Sequence, residues 1–330
     1  MIRHAVGAGT LAGAAALLFL SPATRVFPQN SKLQVAPHYV AGEVVRYAIE
    51  TTTVTQSRRS GTVSDPQGPS ALTLKWTAVV RTEVLAAPDA AAKSAGGLRM
   101  RTTFEKSAAE SSSDSYDPSA DAIEAQYREM EGKSFEYAMD ASGRLTDVSG
   151  LEGVSMKQGN SDAMQEFLSE MTAAGGAPKE GIAIGQSWAT ERPVPESPLE
   201  GTVWKGQSSY LRNEPCEPAK APGAPNPAGA ESCAVLMTKL ILTSSRPAGK
   251  DATPENLKKM GMKTSGTWTG DGESLTYISL KTGRLVSVTQ NSSERMDFSM
   301  SSAASDRDIH YQGTVTSKMQ MSLLPAAAKQ

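Results

Sequence analysis

The sequence predicts a mainly β (α+β) protein: a long, curved antiparallel sheet or half-barrel carrying two amphipathic helices. Three observations lead there. Residues 72–84 alternate strictly, with Leu72, Leu74, Trp76, Ala78, Val80, Thr82 and Val84 on one face and Thr73, Lys75, Thr77, Val79, Arg81 and Glu83 on the other. Residues 309–323 repeat the pattern. Period-two alternation this long means a half-buried strand, and strands well beyond the usual five or six residues suit a strongly curved sheet. Helical spacing, the third observation, is confined to two short segments.

In chain order, Arg3 and His4 precede an apolar, uncharged run at 5–20, and Ser21-Pro22-Ala23 closes it with small residues at the positions a signal peptidase reads. The run is short of the about 20 residues that span a bilayer. Residues 1–23 are therefore expected to be a cleaved signal peptide, with 24–38 a flexible mature N-terminus. A first β unit is expected at 39–175 and contains both helices. One, at 119–131, carries Ile123, Tyr127 and Met130 at helical spacing. The other, at 161–173, carries Met164, Phe167, Leu168 and Met171 behind a Ser161 cap. A junction at 176–184 leads to a second β unit at 185–324, and 325–330 form a tail. Further strands are expected at 43–55, 98–107, 134–139, 144–149, 202–212, 233–244, 264–269, 274–280, 284–290 and 295–300.

The two units echo one another. YAMDASGRLTDV (137–148) and YISLKTGRLVSV (277–288) share Tyr, then Gly-Arg-Leu, then Val; each reads as a hairpin whose Gly takes positive φ. Gly42-Glu43 and Gly185-Gln186 precede them at similar distances. The alternatives are a duplicated β unit and one continuous sheet with two similar hairpins.

Composition narrows function. With 330 residues and a formal net charge of −2, the chain shows no basic run and no nucleic-acid footprint. Beyond the signal no apolar stretch is long enough to span a membrane. The two cysteines, Cys216 and Cys233, flank the Pro/Ala-rich loop 215–231. A disulfide there would contribute about 3 kcal/mol for a loop of about 15 residues. Two free thiols or a metal pair are the alternatives. Zinc usually needs four N or S ligands, and only His38 and His310 remain to supply them.

No catalytic residues are assigned, and no cofactor or metal is expected. There is no G-x-S-x-G elbow. His310 falls on the polar face of the last strand and His38 near the mature N-terminus, both read as surface residues. Asp114, Asp117 and Asp121 do not match a calcium loop. GTWTGDG (266–272) lacks the Lys-Ser/Thr of a phosphate loop and reads as a tight turn. Asn291-Ser292-Ser293 matches a glycosylation acceptor. A pair of carboxylates needs no motif, so carboxylate hydrolysis stays open.

The G-[EQ]-x-[VW] strand openings, the long alternating strands and the paired GRL hairpins resemble uncharacterised exported bacterial β-proteins, described only as domains of unknown function. More distantly they are similar to envelope lipoprotein carriers, whose curved sheet and helical lid enclose an acyl chain. The resemblance spans most of 39–323 and transfers no functional residue. The lipidation cysteine common in such carriers is absent. The signal segment, the long one-sided strands and the two amphipathic helices able to cover them lead to the expectation of an exported, non-enzymatic protein, periplasmic or extracellular, that binds a hydrophobic ligand or an envelope partner. Met296, Phe298, Met300, Met319 and Met321 would be the adaptable lining; the bland reading of these residues is a filled core. A secreted carboxylate-dependent hydrolase is the alternative.

Overall fold

A computed structural model of the chain describes residues 32–62, 70–85, 98–114, 119–140, 145–150, 177–194, 197–216, 231–244, 250–302 and 307–325. Eleven strands and two helices occur among them. They are β1 (Val44–Gly61), β2 (Ser70–Val84), β3 (Leu98–Ser113), α1 (Ser119–Glu129), β4 (Ser134–Met139), β5 (Leu145–Ser149), β6 (Ser187–Pro193), β7 (Val203–Pro215), β8 (Ser232–Thr243), α2 (Glu255–Lys259), β9 (Met262–Ser279), β10 (Leu285–Ser302) and β11 (Arg307–Leu323). The expected helix at 161–173 lies outside the described residues.

All eleven strands form one antiparallel sheet in the order β5-β4-β3-β2-β1-β11-β10-β9-β8-β7-β6. The chain is an up-and-down meander in which every sequential pair of strands is hydrogen-bonded except β5 and β6. Those two are the sheet's edges, and β1 pairs instead with β11 over 15 positions. The sheet is curved and not closed. Its edge strands are short, 5 and 7 residues, while β1, β9 and β10 each run 18. Short edges limit the unpaired backbone open to aggregation. Residues 32–330 form one compact unit, so the two expected β units share a sheet. Each half opens with three strands and a helix, α1 after β3 and α2 after β8; two strands then follow in the first half and three in the second.

The expected breaks at 270–273 and 291–294 do not exist. β9 and β10 are continuous, paired from Leu285↔Ile278 to Ser302↔Met262. GTWTGDG is therefore mid-strand rather than a turn. Its glycines serve close approach: Gly266 takes φ +141°, and a Cβ there would press on the Asp297 carbonyl and the Phe298 backbone. A Cβ on Gly270 would come within 2.6 Å of the Ser293 carbonyl oxygen. Glycine within a strand marks such crowding as well as a bend, and both positions lie on the inner face.

That inner face follows from register, since directly paired residues point to the same side. Tyr47, Ile49, Val80, Phe104, Phe135, Tyr137, Met139, Leu285, Val288 and Met321 belong to one buried cluster on it. A second cluster joins Val35, Ile182, Tyr210, Ala234, Leu236 and Ile278. Both sit at the same end of the strands, here the packed end. Residues 32–38, expected to be flexible, are held there. Leu33 and Ile182 exchange two backbone hydrogen bonds of 2.7 and 2.9 Å, His38 N–H donates to Thr282 O, and Val35 is buried. Burial of Val35 among leucine, isoleucine and tyrosine, together with these backbone hydrogen bonds, offsets the entropy lost in ordering the segment.

α1 lies against the inner face over β2 and β3. The Tyr127 ring packs 5.3 Å from that of Trp76, and Ser107 Oγ donates to Tyr127 O at 2.6 Å. Glu124 accepts from both N–H and Oγ of Ser111, and these bonds hold its carboxyl below the usual range. The outer face carries ion pairs, among them Arg46–Glu105 at 2.9 Å and Arg101–Glu136 at 2.6 Å. Exposed pairs of this kind contribute little stability; they keep the outer face wet.

Candidate functional site: the open end of the inner face

The packed end is clamped by a side chain that both GRL and GE motifs supply. Arg284 donates through Nη1 and Nη2 to the two carboxylate oxygens of Glu43 at 2.6 Å each, and through Nε to His38 O at 3.0 Å. Its guanidinium also lies 4.7 Å from the Tyr39 ring centroid. Gly283, at φ +65°, lets the hairpin approach so closely that a Cβ would strike Ala36 O. Sequence reasoning found Glu43 and Arg284 as separate repeat markers and missed that they bind each other. Tyr47, with its hydroxyl donating to Leu285 O at 3.1 Å, fills the space beneath, and burial pushes its phenol far up.

Beyond Ile49, Val288 and Met321 the same face changes character. Thr51, Thr53, Ser317, Gln290, Ser292 and Ser274 form a polar band across β1, β11, β10 and β9, placed side by side by register. Thr53 and Ser317 share a hydrogen bond at 3.4 Å. Past the band come Leu72 and Leu74 of β2, Val315 of β11, Met296 of β10 and Trp268 of β9, then Phe298 stacked on Tyr311 at 5.3 Å. All are half-exposed rather than buried. An apolar inner wall that stays half-exposed is the molecule's clearest candidate for contact with something else.

One carboxylate sits in this wall. Glu294 falls between Gly270 and Val315 in register. It accepts a hydrogen bond from Trp268 Nε1 at 2.9 Å, and burial without a compensating cation raises its pKa. Along the inner face of β8, β9, β10 and β11 from Ile309 onward it is the only charged residue. Sequence reasoning missed it, although a glutamate at a methionine position of an alternating strand is a visible anomaly.

The five residues expected to line a ligand site all lie on the inner face, in two environments. Met321 is fully buried in the packed-end cluster, and Met319 packs against that cluster. Met296, Phe298 and Met300 continue along β10 into the half-exposed region. Cys216 and Cys233 form a disulfide with Cα atoms 4.9 Å apart, and Cys216 N–H also donates to Glu231 O. His310 is on the outer face, as expected, with Nε2 2.7 Å from Asp297 Oδ1, an exposed pair that Gln312 joins. His38 contributes only its backbone to the clamp.

Chemically, the inner face of β8, β9, β10 and of β11 from Ile309 onward offers apolar contact, hydroxyls and a single carboxylate. No second acid accompanies Glu294 on the inner face of β8–β10 or of β11 from Ile309 onward, so the two-carboxylate arrangement of glycoside hydrolysis has no pair there. Among the described residues no group of three or more His, Cys, Asp or Glu side chains is placed to hold a metal. No helix among them is long and apolar enough to cross a membrane.

No family model matches the chain, and no curated protein matches it. Solved structures that align with it include the enduracididine biosynthesis enzyme MppR complexed with the condensation product of pyruvate and imidazole 4-carboxaldehyde. That alignment covers 96% of each chain at 9% identity with a TM-score of 0.08, a value that carries no argument about fold or activity.

Proposed function

We propose that the protein is exported, with residues 1–23 removed as a signal peptide, and acts without catalysis by holding a small hydrophobic ligand against the open end of its inner face. One observation carries the reading: the apolar wall formed by Leu72, Leu74, Trp268, Met296, Phe298 and Val315 is half-exposed while the packed end of the same strands is filled. Burying such a wall against an apolar ligand gains about 25 cal/mol per Å². The disulfide favours an oxidising compartment, periplasmic or extracellular. The order of three strands and then a helix, common to the two halves, supports an ancestral duplication that produced this sheet.

Native mass spectrometry of protein purified from its own host without detergent tests the binding. A bound small apolar species, and an N-terminus near Thr24, are the expected results. Ligand-free protein that also takes up no added alkyl chain contradicts the reading.

A further inference from the structure

We propose that the ligand of the open end is an amphiphile with one apolar chain and a cationic ammonium head, and that Glu294 receives the head. This rests on the hydrophobic-ligand reading above and specifies its chemistry. Glu294 is a half-buried acid in an apolar wall, with Trp268 as its one hydrogen-bond donor among the described residues. A carboxylate withdrawn from water is costly unless a cation accompanies it, and the described residues of this face supply none nearby. Arg59, opposite Tyr311 on β1, and Arg192, opposite Trp204 on β6, are inner-face cations elsewhere. By register Arg59 lies about 13 Å further along the strand direction, and Arg192 about four strands or 19 Å across the sheet. Tyr311 is the only other titratable side chain on the inner face of β9, β10 and β11 from Ile309 onward.

The surroundings suit a cationic head. Glu294 lies over Gly270, where a Cβ would come within 3.2 Å of its Cγ, so the glycine accommodates the carboxylate side chain. The indole of Trp268, whose Nε1 donates to the Glu294 carboxylate, provides a ring face of the kind that attracts ammonium groups. Met296, Phe298 and Met300 then continue along β10 as a track for the chain. A hydroxyl head could satisfy one oxygen but would leave the charge uncompensated, and a carboxylate head would be repelled. Only an ammonium both donates and neutralises.

Calorimetric titration of the full mature chain with dodecylamine, dodecanol and dodecanoate, each below its micelle-forming concentration, tests this. The parent protein is expected to bind the amine about tenfold more tightly than the alcohol, and dodecanoate most weakly. Glu294→Gln should abolish the preference for the amine while leaving dodecanol affinity within about twofold, and Glu294→Asp, which keeps the charge, should retain the preference. Equal affinity for the three heads, or an amine preference that survives Glu294→Gln, overturns the proposal and leaves the hydrophobic-ligand reading standing. Failure of all three to bind the parent overturns that reading as well.

Discussion

The two ends of β1, β10 and β11 share one set of backbone ladders but differ in what their inner face meets. At the packed end Tyr47, Ile49 and Met321 are at most 1% exposed, within one buried cluster at the end of the sheet that the Arg284–Glu43 clamp holds. At the open end Thr53, Val315 and Met296 stay half-exposed on strands that are no less regular. Hydrogen-bonded ladders thus set where the strands run, while burial is set by what closes over them.

The contrast makes graded predictions for stability. Phe104→Ala, deep in the packed end, should cost about 4 kcal/mol. Val315→Ala at the open end should cost under about 1 kcal/mol. Urea denaturation compares them, and equal losses would mean that the two ends are packed alike. Replacing both Cys216 and Cys233 by serine should cost about 3 kcal/mol, since the bridge closes a loop of about 15 residues where β8 begins. Reduction of the parent should lower its melting temperature correspondingly.

Arg284→Ala should cost about 2 kcal/mol, the scale of charge-assisted hydrogen bonds. Its double mutant with Glu43→Ala should lose little more than either alone, because the two side chains act as one unit. Additive losses would mean that the clamp is two independent contacts. The smallest effect expected is the pH dependence at Glu294. Burial raises its pKa above the ordinary 4.5, so the folded state holds the proton more tightly than the unfolded chain. Stability contributed by this group is therefore present at low pH and lost as pH rises from about 4.5 through the raised value. Urea midpoints should show Glu294→Gln gaining on the parent as pH rises across that range; a constant difference would place the carboxyl in water.

Alternation made most of the sheet legible. The patterns at 72–84 and 309–323 correspond to β2 and β11, and the cysteine pair to the disulfide. Three features were not legible for physical reasons. Gly266, Gly270 and Gly272 read as a turn because glycine signals both tight turns and crowded strands, and only the neighbouring backbone distinguishes them. Glu43 and Arg284 are 241 residues apart, and no local pattern reports a contact that topology creates. The open end itself was invisible, since Met296 and Met321 sit in the same alternating pattern in sequence, and only the elements above them decide which meets core and which meets the half-exposed wall.

Tryptophan quenching by 12-bromododecanol tests most directly whether the open end holds a ligand. Trp268 lies on the open wall, whereas Trp188 packs beside the packed-end cluster. Saturable quenching that Trp268→Phe largely removes and Trp188→Phe leaves intact is the predicted result. An absence of saturable quenching, or quenching lost with Trp188 and kept without Trp268, would contradict it.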